Sequence, residues 1–142
     1  MRSALSVIRD RPSLRLSLIV TGMHLTEEFG YSFREIERDG FRIDATVSAL
    51  PERDSGAAMV EAMSKCLNGV AEALQQRQYD LVTVTGDRGE SLAASLAAKH
   101  LNISVAHVGG GYVSGSIDDR IRDAVTVFQI STFPQMEFVG RK

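Results

Sequence analysis

Residues 79–90 read Tyr-Asp-Leu-Val-Thr-Val-Thr-Gly-Asp-Arg-Gly-Glu and restrict the fold more than any other stretch. The β-branched, apolar run at 80–85 predicts a buried strand, Gly86 ends it, and a helical pattern begins at Asp87 and runs to His100. A strand that turns through glycine straight into a helix is one half of a β-α-β unit. Such a unit needs a parallel neighbour, because a helical crossover returns the chain in the same direction. In sheets of this kind ligands bind beyond the carboxyl ends of the strands.

The rest of the 142-residue chain repeats that alternation. Residues 2–10 predict a helix, closed by Asp10 and Pro12. Residues 14–21 predict a strand ending at Gly22, and residues 27–39 a one-sided helix carrying Phe29, Phe33 and Ile36 and stopped by Gly40. Residues 41–47 predict a second strand, which Asp44 weakens. Asp54 and Ser55 serve as N-caps of a long helix to about Gln76, with a stripe of Met59, Met63, Cys66, Leu67, Val70 and Leu74. Residues 103–107 predict a fourth strand, Gly109-Gly110-Gly111 a loop, and Ser116 the start of a last helix. Asp119 follows Ser116 at capping-box spacing, and Ile117, Ile121, Ala124, Val125 and Phe128 form an apolar face. From Gln129 onward a short strand is expected. Helices alternating with strands imply one parallel sheet covered on both faces, with right-handed crossovers.

Composition narrows the functional classes. A chain of 142 residues suits one domain, and 44% hydrophobic with 24% charged residues is a globular balance. The net charge of −2, with no basic block, gives no expectation of nucleic acid or of an anionic membrane surface. The one cysteine, Cys66, excludes an internal disulfide and reads as a core thiol in a reducing compartment. Residues 1–9 lack the apolar core of a signal peptide, and no apolar run approaches membrane-spanning length. A cytoplasmic protein is the expectation.

Candidate chemistry gathers at the strand ends, where Thr21-Gly22-Met23-His24, Thr85-Gly86-Asp87-Arg88 and His107-Val108-Gly109 place glycine beside polar groups. Asp87 reads both as an N-cap and as a carboxylate at a cleft edge, and the two roles are compatible. Arg88 is a candidate phosphate contact or a solvated first-turn arginine. His24 reads as a substrate-orienting or proton-shuttling imidazole, or as a plain surface histidine. A core position suffices for His107, and a favourable helix-end position for His100. Residues 109–116, which include Ser114, offer backbone N–H groups to an anion or form an ordinary connection. Asp118 and Asp119 both suit the positive end of the last helix. The spacing of three histidines and one cysteine suggests no metal, and no cofactor is expected.

Five segments in one order are more specific than any of these alone: Thr21-Gly22-Met23-His24-Leu25, Glu28-Phe29-Gly30, Glu35-Ile36-Glu37-Arg38-Asp39-Gly40-Phe41, Gly86-Asp87-Arg88-Gly89-Glu90 and Ser114-Gly115-Ser116-Ile117-Asp118-Asp119. Together they resemble the UDP-N-acetylglucosamine 2-epimerases, and the Thr-Gly-Met-His and Gly-Asp-Arg forms look like the hydrolysing branch that feeds sialic acid synthesis. A relative acting on UDP-diacetylbacillosamine is not separated by these motifs. The resemblance implies an α/β fold: a Rossmann-like parallel sheet with helices on both faces, resembling the N-terminal half of a GT-B fold and lacking its first strand. That strand belongs between the strands of residues 14–21 and 80–85. Residues 1–128 correspond to the truncated N-terminal domain and 129–142 to a divergent tail.

The same resemblance implies removal of the sugar C2 proton as UDP departs, followed by addition of water to give N-acetylmannosamine. It carries catalytic roles to Asp87 and Asp118 and substrate-binding roles to Arg88, His24, His107, Ser114 and Arg122. A UDP-sugar is the implied partner, and self-association, common in the family, is a further implication. The pattern departs at Gly109, where the family carries glutamate or histidine, at Tyr112, where it carries glutamate, and at Asp123, where it usually carries histidine. Three readings therefore stand side by side: a portion of a hydrolysing epimerase, a non-catalytic nucleotide-sugar-binding or interaction module derived from it, and an unrelated flavodoxin-like binding domain.

Overall fold

The computed structural model describes residues 2–111, 113–116 and 118–129. In order, the elements are α1 (Arg2–Arg9), β1 (Ile19–Thr21), α2 (Phe33–Arg38), β2 (Ala45–Val47), α3 (Gly56–Gln75), β3 (Leu81–Thr85), α4 (Gly89–His100), β4 (Ser104–Val108) and α5 (Asp118–Phe128). The chain forms two compact units, residues 1–65 and 66–142, and the division falls within α3. The strands pair in parallel as two separate two-stranded sheets, β1 with β2 and β3 with β4.

In the first unit β1 is shorter than the apolar run predicts, and the pairing begins one residue earlier through a side chain. The Leu18 N–H donates to Asp44 Oδ2 at 3.2 Å, and the Asp44 N–H returns to the Leu18 carbonyl at 2.9 Å. Asp44 therefore anchors β2 where the sequence reading expected it to weaken the strand. The single helix expected over 27–39 is broken: Glu27–Phe29 is a 3₁₀ turn, and Gly30 (φ 81°) and Tyr31 (φ 45°) leave helical space before α2. Gly40, at φ 75°, closes α2, with the Gly40 N–H on Glu37 O and the Phe41 N–H on Ile36 O. Val20, Phe41, Val47 and Ala49 are the buried residues of this unit's strand region. Ser55 caps α3, accepting the Ala58 N–H at 3.2 Å.

The second unit positions the candidate site. In β3, Val84 faces inward while Leu81, Thr83 and Thr85 are exposed, the period-two pattern of a strand with one covered face. Register sets Val84 opposite His107 and Thr85 opposite Val108. One more bond, from the Gly86 N–H to the Val108 carbonyl at 3.1 Å, carries the pairing into the turn. Helix α4 packs on both strands, and α5 packs on α4 and β4. The α4 contact face is made of Ala93, Ala97 and Ala98 with Ser95, all buried. Small side chains allow this close approach, and the Ser95 hydroxyl is satisfied by the Ser91 carbonyl at 2.8 Å. The strand expected after Gln129 lies outside the described residues.

Candidate functional site

Gly86 has φ 77°, and a Cβ added there would meet nothing within 4 Å, so backbone conformation and not space calls for glycine. The turn is fastened to α4 by Ser91 Oγ, which donates to the Thr85 carbonyl at 2.7 Å. Helix α4 begins at Gly89 with Arg88 at the N-cap position and no side-chain cap bond. Asp87 is therefore not the cap that its position suggested. Its carboxylate turns towards α5, where Oδ2 accepts Arg122 Nη2–H. Asp87 Oδ1 carries no hydrogen bond among the described residues, and the side chain is 30% exposed.

Arg122 is buried. Its second arm, Nη1, donates to Asp119 Oδ1. Burial opposes the guanidinium charge, but the bonds to Asp119 and Asp87 outweigh it and hold the pKa above the ordinary arginine value. Asp119 also accepts Ser114 Oγ–H at 2.6 Å, Ser114 N–H at 2.9 Å and, on Oδ2, Gly115 N–H at 2.7 Å. The Ser114 hydroxyl foremost, then these N–H groups and Arg122, keep this carboxyl well below the usual carboxylate range. Sequence reading took Asp119 for a capping and dipole residue. Its i, i+3 spacing to Arg122 was the available signal for the ion pair.

Asp118, the neighbour to which the resemblance carries a catalytic role, is exposed in the first turn of α5. Ser116 Oγ lies 3.1 Å from Asp118 Oδ2 and 3.1 Å from Ser114 Oγ. A hydrogen-bonded path thus runs from Asp87 through Arg122 and Asp119 to Ser114, while Ser116 Oγ has one proton to give, either to Ser114 Oγ or to Asp118 Oδ2. Arg88 is half-exposed beside Glu90, with Nε 3.3 Å from Oε2.

His107 is engaged on both sides. Its Nε2 lies 2.8 Å from the Gly86 carbonyl, which only accepts, so Nε2 carries a proton. Its Nδ1 lies 3.1 Å from Thr126 Oγ1, and that hydroxyl, also 2.9 Å from the Arg122 carbonyl, has one proton to give to either of them. Thr126 had no signal in the sequence. A Cβ at Gly110 would sit 2.9 Å from Thr126 Oγ1 and 3.1 Å from His107 Nδ1, which explains glycine there by close approach. Gly109, where the family carries an acid or histidine, has φ 95°, a backbone that residues with a side chain rarely adopt. Tyr112, the other lost acid, lies outside the described residues. In the first unit, His24 sits in a 3₁₀ turn with Nδ1 2.7 Å from Ser32 Oγ. Among the described residues no three His, Cys, Asp or Glu side chains come together to hold a metal, and no helix is long and apolar enough to cross a membrane.

A family model described as UDP-N-acetylglucosamine 2-epimerase matches residues 6–137. The chain belongs to the UDP-N-acetylglucosamine 2-epimerase family. Over 126 residues it is 37% identical to UDP-N,N'-diacetylbacillosamine 2-epimerase (hydrolyzing) of Legionella pneumophila, covering 89% of this chain and 33% of that protein. It is 34% identical over 127 residues to polysialic acid biosynthesis protein P7 of Escherichia coli, with 89% and 32% coverage. The crystal structure of UDP-GlcNAc 2-epimerase from Neisseria meningitidis, bound to UDP-GlcNAc, superposes with a TM-score of 0.75 at 19% identity over 91% of this chain and 35% of that one. That likeness shows the fold, a partial Rossmann-like α/β unit of the GT-B kind. The chain spans about a third of the length of the curated relatives it matches.

Proposed function

We propose that this epimerase-family chain supplies one side of a nucleotide-sugar site, with a UDP-2-acetamido sugar beyond the carboxyl ends of β3 and β4. In this reading Asp87 and Asp118 are the carboxylates of the reaction. A proton leaves sugar C2 to a carboxylate as the C1–O bond breaks and UDP departs, leaving a C1=C2 double bond. Water then adds its oxygen at C1 and a proton returns to C2 from the other face, giving the 2-epimer and free UDP. A C2 proton without an adjacent carbonyl is weakly acidic, so the base must be ionised, fixed in place and near its target. The observation that carries the reading is Asp87, anchored through Oδ2 with Oδ1 open at the strand edge. Arg88, exposed at the first turn of α4, is assigned to the diphosphate, and Ser114 N–H and Oγ to loop organisation.

UDP-N-acetylglucosamine is the substrate proposed first. UDP-diacetylbacillosamine is the second reading, favoured by the 37% identity to the Legionella protein named for it. Titration of residues 1–142 with either UDP-sugar, followed by amide NMR, is expected to move the signals of residues 86–90 and 114–119. Asp87→Asn is expected to weaken the sugar nucleotide more than UDP itself. No shift at millimolar ligand would overturn the proposed site.

A further inference from the structure

The position of Arg122 in its motif suggested a substrate contact, yet its side chain is 4% exposed and both arms of its guanidinium are committed to carboxylates. A diphosphate would have to displace Asp87 or Asp119 to reach it. We infer that Arg122 is a positioning residue: by engaging Asp87 Oδ2 it fixes Oδ1 as the oxygen that Asp87 presents. The inference rests on Asp87 being the carboxylate that faces the sugar.

The fork is the reason for arginine. Two nitrogens of one planar group reach two separate carboxylates, which the point charge of an ammonium does not reproduce. The backbone of Arg122 is tied to the same turn from the other side. Thr126 Oγ1 lies 2.9 Å from the Arg122 carbonyl and 3.1 Å from His107 Nδ1 and donates to one of them at a time, while His107 Nε2–H donates to the Gly86 carbonyl at 2.8 Å. His107 thereby shares the positioning role, since both of its nitrogens are engaged within the protein and neither is offered to a ligand.

Two measurements test this. In ligand-free residues 1–142, the Arg122 guanidinium is expected to give separate, slowly exchanging Nη1 and Nη2 proton signals. Asp87→Asn should collapse the Nη2 signals and spare those of Nη1. A single averaged guanidinium signal in the unsubstituted chain overturns the assignment. In titrations, Arg122→Lys is expected to weaken UDP-N-acetylglucosamine by about tenfold and UDP by less than about twofold. Equal losses for the two ligands also overturn it, because a diphosphate contact predicts them. Should the unsubstituted chain bind neither ligand, the proposed function fails while the guanidinium signals still decide the role of Arg122. Those signals need no Arg122 variant, so misfolding of Arg122→Lys leaves the test standing.

Discussion

A carboxylate that accepts two backbone N–H groups, a hydroxyl and a guanidinium resists protonation, and Asp119 accepts all four. Its folded-state pKa lies below the ordinary 3.8, so the unfolded chain takes up this proton first as pH falls. The stabilisation is therefore complete above the ordinary carboxylate pKa and is lost on acidification below it, towards the depressed value. Asp119→Asn is expected to lower the thermal midpoint by a constant amount from pH 8 to about pH 5, with the gap closing below about pH 4. A gap that stays constant into acid would remove Asp119 from this role. At this scale the sequence was only partly legible. Asp87 and Arg122 stood out by motif, but 35 residues separate them, and no local spacing announces their ion pair. Asp119 was visible as an acid in a first turn, where dipole complementarity explained it sufficiently and hid the clamp.

Elements were more legible, because periodicity is a property of the segment and survives ignorance of its partners. β3, α4, β4 and α5 fall within a few residues of the expected places. The long helix of residues 27–39 was misread because the Phe29, Phe33 and Ile36 spacing outweighed Gly30, whose left-handed conformation breaks the turn. Asp44 was misread because an acid in a strand usually lacks a partner, and the Leu18 N–H that completes it is 26 residues away. One element boundary carries its own prediction. Helix α4 ends in a Schellman motif: Ile103 N–H reaches Ala98 O at 2.8 Å and Asn102 N–H reaches Lys99 O at 3.1 Å, with Asn102 at φ 58°. This turn aims β4 at the site. Asn102→Ala is expected to cost about 1 kcal/mol in urea denaturation, and Asn102→Gly to stay within about 0.5 kcal/mol of the parent. Equal effects of the two would mean that the left-handed residue does not set the turn.

For the whole molecule, the proposed elimination asks for more than this chain holds at its site. Loss of UDP from C1 develops negative charge on the diphosphate, which needs cationic partners. Of the two arginines here, Arg122 is spent on Asp87 and Asp119, and exposed Arg88 has Glu90 at 3.3 Å. Asp87 and Asp119 hold one of those two charges and Glu90 lies beside the other. The relatives are about three times as long. Enclosure of a substrate from a second side, with water excluded, is worth about 7–11 kcal/mol of barrier through positioning and avoided solvent reorganisation. In residues 1–142 by themselves the proposed base at Asp87 would meet a substrate open to water, and each 1.36 kcal/mol missing is about tenfold in rate. Purified residues 1–142, incubated with UDP-N-acetylglucosamine and followed by NMR of the sugar anomeric protons, are expected to release no N-acetylmannosamine. Release that vanishes in Asp87→Asn would show that the strand edge and its clamped carboxylate carry out the reaction unaided.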